Sequence, residues 1–180
     1  MNRTRSLILT ALFAALTAVG ALIRIPTPVS SFTMQVFVTA MAGLLLGRKW
    51  GAASQAVYVL LGLLGLPIFA AGGGPGALLQ PTGGFLPGMI AMAWVTGYAA
   101  ERHGTGFRSL FAACAMGLAA LYAVGLPWMH AILTVYLERD WTLRQTLVSG
   151  MAVFLPWDVL KLVLTAILAC RIRPILMRLL

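Results

Sequence analysis

The sequence predicts an all-α membrane protein: one domain over residues 1–180, six transmembrane helices, and a glycine- and proline-rich outer loop over a ligand pocket. Three observations predict it. The composition is 61% hydrophobic and only 9% charged, whereas soluble domains carry about 25% charged residues. So few charges cannot cover a water-facing surface, and lipid is the solvent that suits a mean hydropathy of +0.94. The apolar residues fall into six runs, close to the roughly 17–25 residues a spanning helix needs. The basic residues cluster between those runs, unequally on the two sides.

The first run, 6–23, follows Asn2, Arg3, Thr4 and Arg5. It exceeds the roughly 7–15 apolar residues of a signal-peptide core and is expected to remain as the first helix. Within it Ala11 and Ala15, and Ala14 and Ala18, form two pairs of small residues four apart. That spacing lets another helix approach closely. Pro26-Thr27-Pro28 then breaks the chain. The second run, 31–47, is short, and the third covers 51–70. After it come Gly72-Gly73-Gly74-Pro75-Gly76 and Pro81-Thr82-Gly83-Gly84. Glycine and proline at this density abolish helix and expose backbone N–H and C=O groups. Near membrane depth such backbone persists only where protein buries it or where it lines a cavity. The stretch therefore reads as a loop folded over a site, with a plain flexible connection as the alternative.

The fourth run is 83–100. The fifth, 109–136, is long enough to tilt or to break near Pro127. Thr142 with Gln145 three residues on has the capping-box pattern, and Gly150 is a candidate stop, which predicts a short helix between them. The sixth run, 156–171, has Pro156 in its first turn, where the missing N–H costs nothing. No internal repeat is evident, so an inverted-repeat carrier is not indicated.

With a cytoplasmic N-terminus, Arg3, Arg5, Arg48, Lys49, Arg102, Arg108, Arg171, Arg173 and Arg178 lie inside. Only Arg24, Arg139 and Arg144 lie outside, with Lys161 inside the sixth run. The positive-inside rule then places both termini in the cytoplasm of a multi-pass protein of the cell membrane. The net charge of +9 reflects that topology. No continuous basic face exists to neutralise phosphates, so nucleic acid is not an expected partner.

Asp158 and Lys161 are the charged residues that fall within a span. Three apart, they share one helical face. An ionisable side chain at the bilayer centre costs about 2.5–3.5 kcal/mol on insertion scales. Two roles fit: a structural ion pair, or a polar-ligand site in which the carboxylate accepts N–H groups and the ammonium meets an oxygen or an anion. Tyr122, Gly125 and Trp128 cover adjoining positions of the fifth run. They are either packing aromatics or walls for a flat organic ligand.

The glycine stretch holds no lysine and no G-x-x-x-x-G-K-[ST] pattern, so energy would come from another subunit or an ion gradient. His130 reads as a satisfied buried histidine and His103 as solvated. Cys114 and Cys170 read as small buried hydrophobes. No Ser-His-Asp, His-x-x-x-His or paired-carboxylate pattern is present, so an enzyme, a metal or a cofactor is not expected.

A set of motifs over nearly the whole chain resembles one family. They are Thr33-Met34-Gln35, Ala42-Gly43-Leu44-Leu45-Leu46-Gly47, Gly65-Leu66-Pro67-Ile68-Phe69-Ala70 with the glycine run, Pro81-Thr82-Gly83-Gly84-Phe85-Leu86, Tyr122-x-x-Gly125-x-x-Trp128 and Phe154-Leu155-Pro156-x-Asp158-x-x-Lys161. The chain resembles BioY, the biotin-binding S component of energy-coupling factor (ECF) vitamin transporters. The glycine-rich and Pro-Thr-Gly-Gly stretches and the Asp-x-x-Lys ending are the specific parts. The resemblance implies six helices, an outward-facing pocket capped by the first, third and fifth loops, and biotin as the transported substrate. It implies Asp158 and Lys161 as biotin contacts, with Thr33, Gln35, Gly73, Gly74, Thr82, Gly83, Tyr122 and Trp128 as further ligand-binding residues. Lys161 could meet either the ureido ring or the valerate carboxylate.

The same resemblance implies a transmembrane coupling subunit and ATP-hydrolysing subunits as partners, with the alanine pairs of the first helix facing the coupling subunit. Three positions depart from the family pattern: Trp157 stands where Gly is common, Pro75 interrupts the glycine run, and Gln80 replaces a frequent Gly. These bear on local loop shape rather than ligand class. The alternatives are an S component for another small vitamin, and a small intramembrane enzyme or channel using Asp158 and Lys161.

Overall fold

The computed structural model describes residues 3–26 and 31–179; Asn2, Thr27 and Pro28 lie outside the described residues. Among the described residues, helix α1 (Arg3–Leu22) is one of three helical stretches long and apolar enough to cross a membrane, with Phe107–Tyr136 and Leu143–Ile175. It buries Thr10, Phe13, Ala14 and Thr17, a stripe at three- and four-residue spacing. Ala14 is therefore buried and Ala18 half-buried against the chain's own core, while Ala11 and Ala15 are exposed. Of the two alanine pairs, Ala11–Ala15 alone is left on the outside of the bundle.

Two short strands follow, an addition to the all-α expectation. Strand β1 (Arg24–Pro26) pairs antiparallel with β2 (Ser31–Thr33), Arg24 opposite Thr33. Three residues are too few for an alternating pattern to show in the sequence.

Helix α2 (Gln35–Leu63) is interrupted at Gly47, whose φ of 76° and ψ of 179° no helix allows. The chain folds back there. A Cβ on Gly51 would lie 2.9 Å from the Ala42 carbonyl oxygen. Thr39 hydrogen-bonds Gln55 at 3.1 Å, and Gln35 hydrogen-bonds Tyr58 at 2.9 Å. These pairs are symmetric about Gly47, so the limbs 35–46 and 48–63 run antiparallel. They are the apolar runs 31–47 and 51–70. The second limb stops at Leu63, short of 70, because Gly65 turns at φ 107° and Pro67 follows.

A 3₁₀ turn (Pro75–Leu79) leads to α3 (Phe85–Arg102) and α4 (Phe107–Ala131). Helix α4 passes through Pro127 without breaking; the change of pitch comes after it, in a π-helical turn at Ile132–Tyr136. The capping box forms as the sequence predicts. Thr142 Oγ1 accepts from the Gln145 backbone N–H at 3.3 Å, and Gln145 Oε1 accepts from the Thr142 N–H at 2.8 Å. It starts α5 (Leu143–Leu147). Gly150 is not the stop; it lies within a second π-helical turn, Val148–Ala152. Helix α6 (Leu155–Leu179) then continues past residue 171 and through Pro174.

Helix α2 packs against α1, α3 and α6, and α4 packs against α3 and α6. A polar cluster ties α1 to both limbs of α2. Gln55 Nε2 donates to Thr17 Oγ1 and Ser54 Oγ, each at 3.1 Å, and Gln55 Oε1 accepts from Thr39. All four side chains are fully buried. A buried polar group left without its partner costs about 1–3 kcal/mol. Gln55→Leu would take the acceptor from the Thr39 hydroxyl and the donor from Thr17 and Ser54, which keep their bonds to the Phe13 and Gly51 carbonyl oxygens, and a clear fall in Tm of the detergent-purified protein is expected. An unchanged Tm would mean that the cluster contributes nothing to helix association.

Candidate functional site

The strand pair, the loop 64–84, the C-terminal part of α4, the second π turn and the start of α6 meet at one end of the bundle. Between them lies a cavity of about 290 Å³. Its charged wall comes from α6. Asp158 sits in the first turn, where the partial positive charge of the helix N-terminus favours a carboxylate. Lys161, one turn further, presents its ammonium 2.8 Å from Asp158 Oδ1. From α4, Tyr122 donates its hydroxyl proton to Asp158 Oδ2 at 2.7 Å. Asp158 is 4% exposed. Both its oxygens are engaged and its charge is balanced, which is how a buried carboxylate is tolerated. Each carboxylate oxygen, and the Tyr122 oxygen, keeps acceptor capacity, and two ammonium protons of Lys161 stay free to donate.

A second wall comes from β2 and the first limb of α2. Thr33 Oγ1 donates to Gln35 Oε1 at 3.0 Å, and Gln35 Nε2 donates to Tyr58 Oη at 2.9 Å. Tyr58 spends its own proton on the Ile68 carbonyl oxygen at 3.1 Å. Its oxygen must therefore accept from Gln35, which sets the amide nitrogen toward Tyr58 and the amide oxygen toward Thr33. The glutamine side chain is thus held in one orientation.

The loop supplies the cover. Phe69, Ala70, Ala71, Gly73, Ala77, Gln80, Thr82 and Gly83 line the cavity, with Phe85 and Met89 from α3 and Gly150 and Phe154 behind α6. Phe85 stands edge-on to Tyr122 at 6.3 Å between ring centres.

Of the residues expected from sequence, Asp158, Lys161, Thr33, Gln35, Gly73, Thr82, Gly83 and Tyr122 line this one cavity. Gly74 and Trp128 do not. The Gly74 N–H is bonded to the Gly62 carbonyl oxygen at 2.7 Å, fastening the loop to the end of α2. Trp128 donates its indole N–H to the Leu78 carbonyl oxygen at 3.0 Å. Trp157 is also outside: it is exposed and packs edge-on against Phe32 at 6.1 Å. His130 is half-buried and hydrogen-bonded to Thr146 at 3.0 Å, tying α4 to α5.

Sequence reasoning missed Phe69, Gln80, Phe85, Met89, Gly150 and Phe154 as lining residues. A signal existed for some of them. Phe154, Asp158 and Lys161 are spaced four and three apart, as are Phe85 and Met89 at four, so each set shares a helical face. Nothing comparable marked Gly150, whose place follows from the π turn.

Comparison with known proteins bears on the whole chain. A family model described as the BioY family matches residues 1–178. A protein of Lysinibacillus sphaericus named "Probable biotin transporter BioY" is 40% identical over 170 residues, covering 94% of this chain and 87% of the relative. One of Thermotoga maritima named "Biotin transporter BioY" is 39% identical over 170 residues, covering 94% and 96%. Among solved structures, the S-component for biotin from an ECF-type ABC transporter superposes with a TM-score of 0.83 at 25% identity, covering 97% of this chain and 94% of that one.

Proposed function

The chain belongs to the BioY family, and from that premise we propose that it is the substrate-binding membrane subunit of a biotin uptake transporter. The observation that carries the reading is the pairing of Asp158 with Lys161 and Tyr122 in the wall of the cavity beneath the loop. Biotin's ureido group offers two N–H donors and one carbonyl acceptor. A carboxylate that still has acceptor capacity, set beside an ammonium with protons left to donate, complements it. The thiophane ring and valerate chain suit the apolar lining from Phe69, Phe85, Met89 and Phe154.

In this reading the two limbs of α2 count as separate passes, giving six with α1, α3, α4 and α6. The excess of arginine and lysine in the sequence segments assigned to the inner side supports a topology with both termini in the cytoplasm and the cavity on the outer side. Biotin is captured from outside and delivered inward with a transmembrane coupling subunit and ATP-hydrolysing subunits; the exposed Ala11–Ala15 face of α1 is the surface for the former. The role is binding and transport rather than catalysis.

Titration of the detergent-purified protein with biotin tests this. Saturable binding is expected, with thiamine and riboflavin failing to compete. No saturable biotin binding, together with binding of either other vitamin, would move the chain to another substrate.

A further inference from the structure

Trp128 stands close to the cavity without lining it, and the loop above shows what it does. The first part of that loop, 66–72, is anchored from inside the protein. Phe69 is 6% exposed and meets Tyr58 edge-on at 5.4 Å. Tyr58 Oη holds the Ile68 carbonyl oxygen, and Phe69 and Gly72 exchange backbone hydrogen bonds of 2.8 and 3.1 Å. The second part, 75–82, is held differently. None of Pro75–Leu79 is fully buried; Ala77 and Leu78 pack half-buried against the core.

Among the described residues, the only side chain that hydrogen-bonds the backbone of 75–82 is Trp128, through its indole N–H to the Leu78 carbonyl oxygen at 3.0 Å. The same ring packs on Gly84, where a Cβ would collide with it. Gly74, at φ 97°, stands at one end of the segment and Gly83 and Gly84 at the other. Ala77, Gln80 and Thr82, which lie within the segment, line the cavity. Backbone bonds from Gly83 and Phe85 hold only its C-terminal end, and a stretch with no fully buried side chain and a single side-chain tie to its backbone opens at lower free energy than its neighbours. Trp128 is itself 39% exposed, so solvent can reach that tie.

We propose that Trp128 is a positioning residue for the ligand: its indole N–H latches segment 75–82 over the cavity, and this segment alone swings between Gly74 and Gly84 to admit and release substrate. Segment 66–72 stays in place with Tyr58. The proposal rests on reading the cavity as the biotin site.

Hydrogen exchange on the ligand-free protein tests the latch without any ligand. Trp128→Phe keeps the ring and removes the donor. Exchange of the 75–82 amides is expected to rise about threefold to tenfold, the effect of one net hydrogen bond, with 66–72 unchanged. Gly84→Ala, which pushes the indole away while leaving it intact, is expected to give the same signature. Tyr58→Phe is expected to give the reverse, faster exchange in 66–72 alone. With labelled biotin, association and dissociation should both accelerate in Trp128→Phe, so that Kd moves less than either rate; a merely structural role would not split them this way. Unchanged exchange at 75–82 in both Trp128→Phe and Gly84→Ala, or an equal rise in 66–72 and 75–82, would overturn the latch. Failure of the unmodified protein to bind biotin would instead sink the site reading, and exchange alone would then decide the latch.

Discussion

Asp158→Asn is expected to weaken biotin binding at least tenfold, and Lys161→Ala to do the same while also lowering stability. Tenfold corresponds to about 1.4 kcal/mol, a modest demand on this geometry. Both Asp158 oxygens accept, one from Lys161 at 2.8 Å and one from Tyr122 at 2.7 Å. Asparagine keeps one acceptor and turns the other into an NH₂ donor, which would face either an ammonium or a phenolic proton. The wall therefore rearranges, and the carboxylate proposed to accept a ureido N–H is lost with it.

Lys161→Ala acts differently. It leaves a carboxylate that is 4% exposed without its counter-charge, and breaking a buried pair from one side costs about 3–5 kcal/mol. The double variant Asp158→Asn/Lys161→Met separates the two effects. Its Tm should recover toward that of the unmodified protein, while biotin binding stays weak. Biotin titration and thermal unfolding in detergent, run on all three variants, are the measurements. Undiminished affinity in both single variants would refute the site assignment.

The second large effect is structural. Gly97→Val is expected to abolish or severely reduce the yield of folded protein. Gly97 lies on α3 where the α2 turn crosses it, and a Cβ there would collide with the Arg48 amide nitrogen and with Gly47. From the other side, a Cβ on Gly43 would lie 2.7 Å from the Ala93 carbonyl oxygen and 2.9 Å from the Thr96 Cβ. The two helices meet backbone to backbone, the approach that small residues permit between membrane helices. No flexible side chain is there to yield.

One turn along α3, Glu101 accepts from the Arg48 N–H at 2.9 Å and pairs with its guanidinium at 3.4 Å. A valine that separates the helices would therefore also undo the contact that starts the second limb. Overpacking of this kind costs about 1–3 kcal/mol and more where backbone cannot move. Gly104→Ala is the control, since the nearest atom to its Cβ would be Ser109 Oγ at 3.9 Å. Monodisperse yield and Tm are the readouts. A Gly97→Val protein with unchanged Tm would mean that α2 and α3 do not touch as described.

Much of this was legible in the residues alone. Lipid demands continuous apolar length, so the membrane character, the helical runs and their approximate limits could be read off one residue after another. A charge inside such a run is costly, so Asp158 and Lys161 stood out without any knowledge of their surroundings. The capping box at Thr142 is a contact between residues three apart, and local spacing suffices for it.

The remainder depends on distances between residues far apart in the chain. Nothing in 31–70 declares that Gly47 reverses the helix so that Gln35 and Tyr58 meet, and only that meeting holds the Gln35 amide in one orientation. Trp128 has the composition of a ligand wall, and only the fold brings its indole N–H onto the Leu78 carbonyl oxygen, 50 residues away in the chain. The alanine stripe of α1 is two pairs in sequence, of which packing turns one inward. The sequence by itself determined the solvent the chain folds in, its helical runs and its charged pair, because each follows from transferring local segments into lipid. The tertiary structure alone decided which of those polar and small residues share a cavity, because hydrogen bonds and close packing act over a few ångströms in space, whatever the separation along the chain.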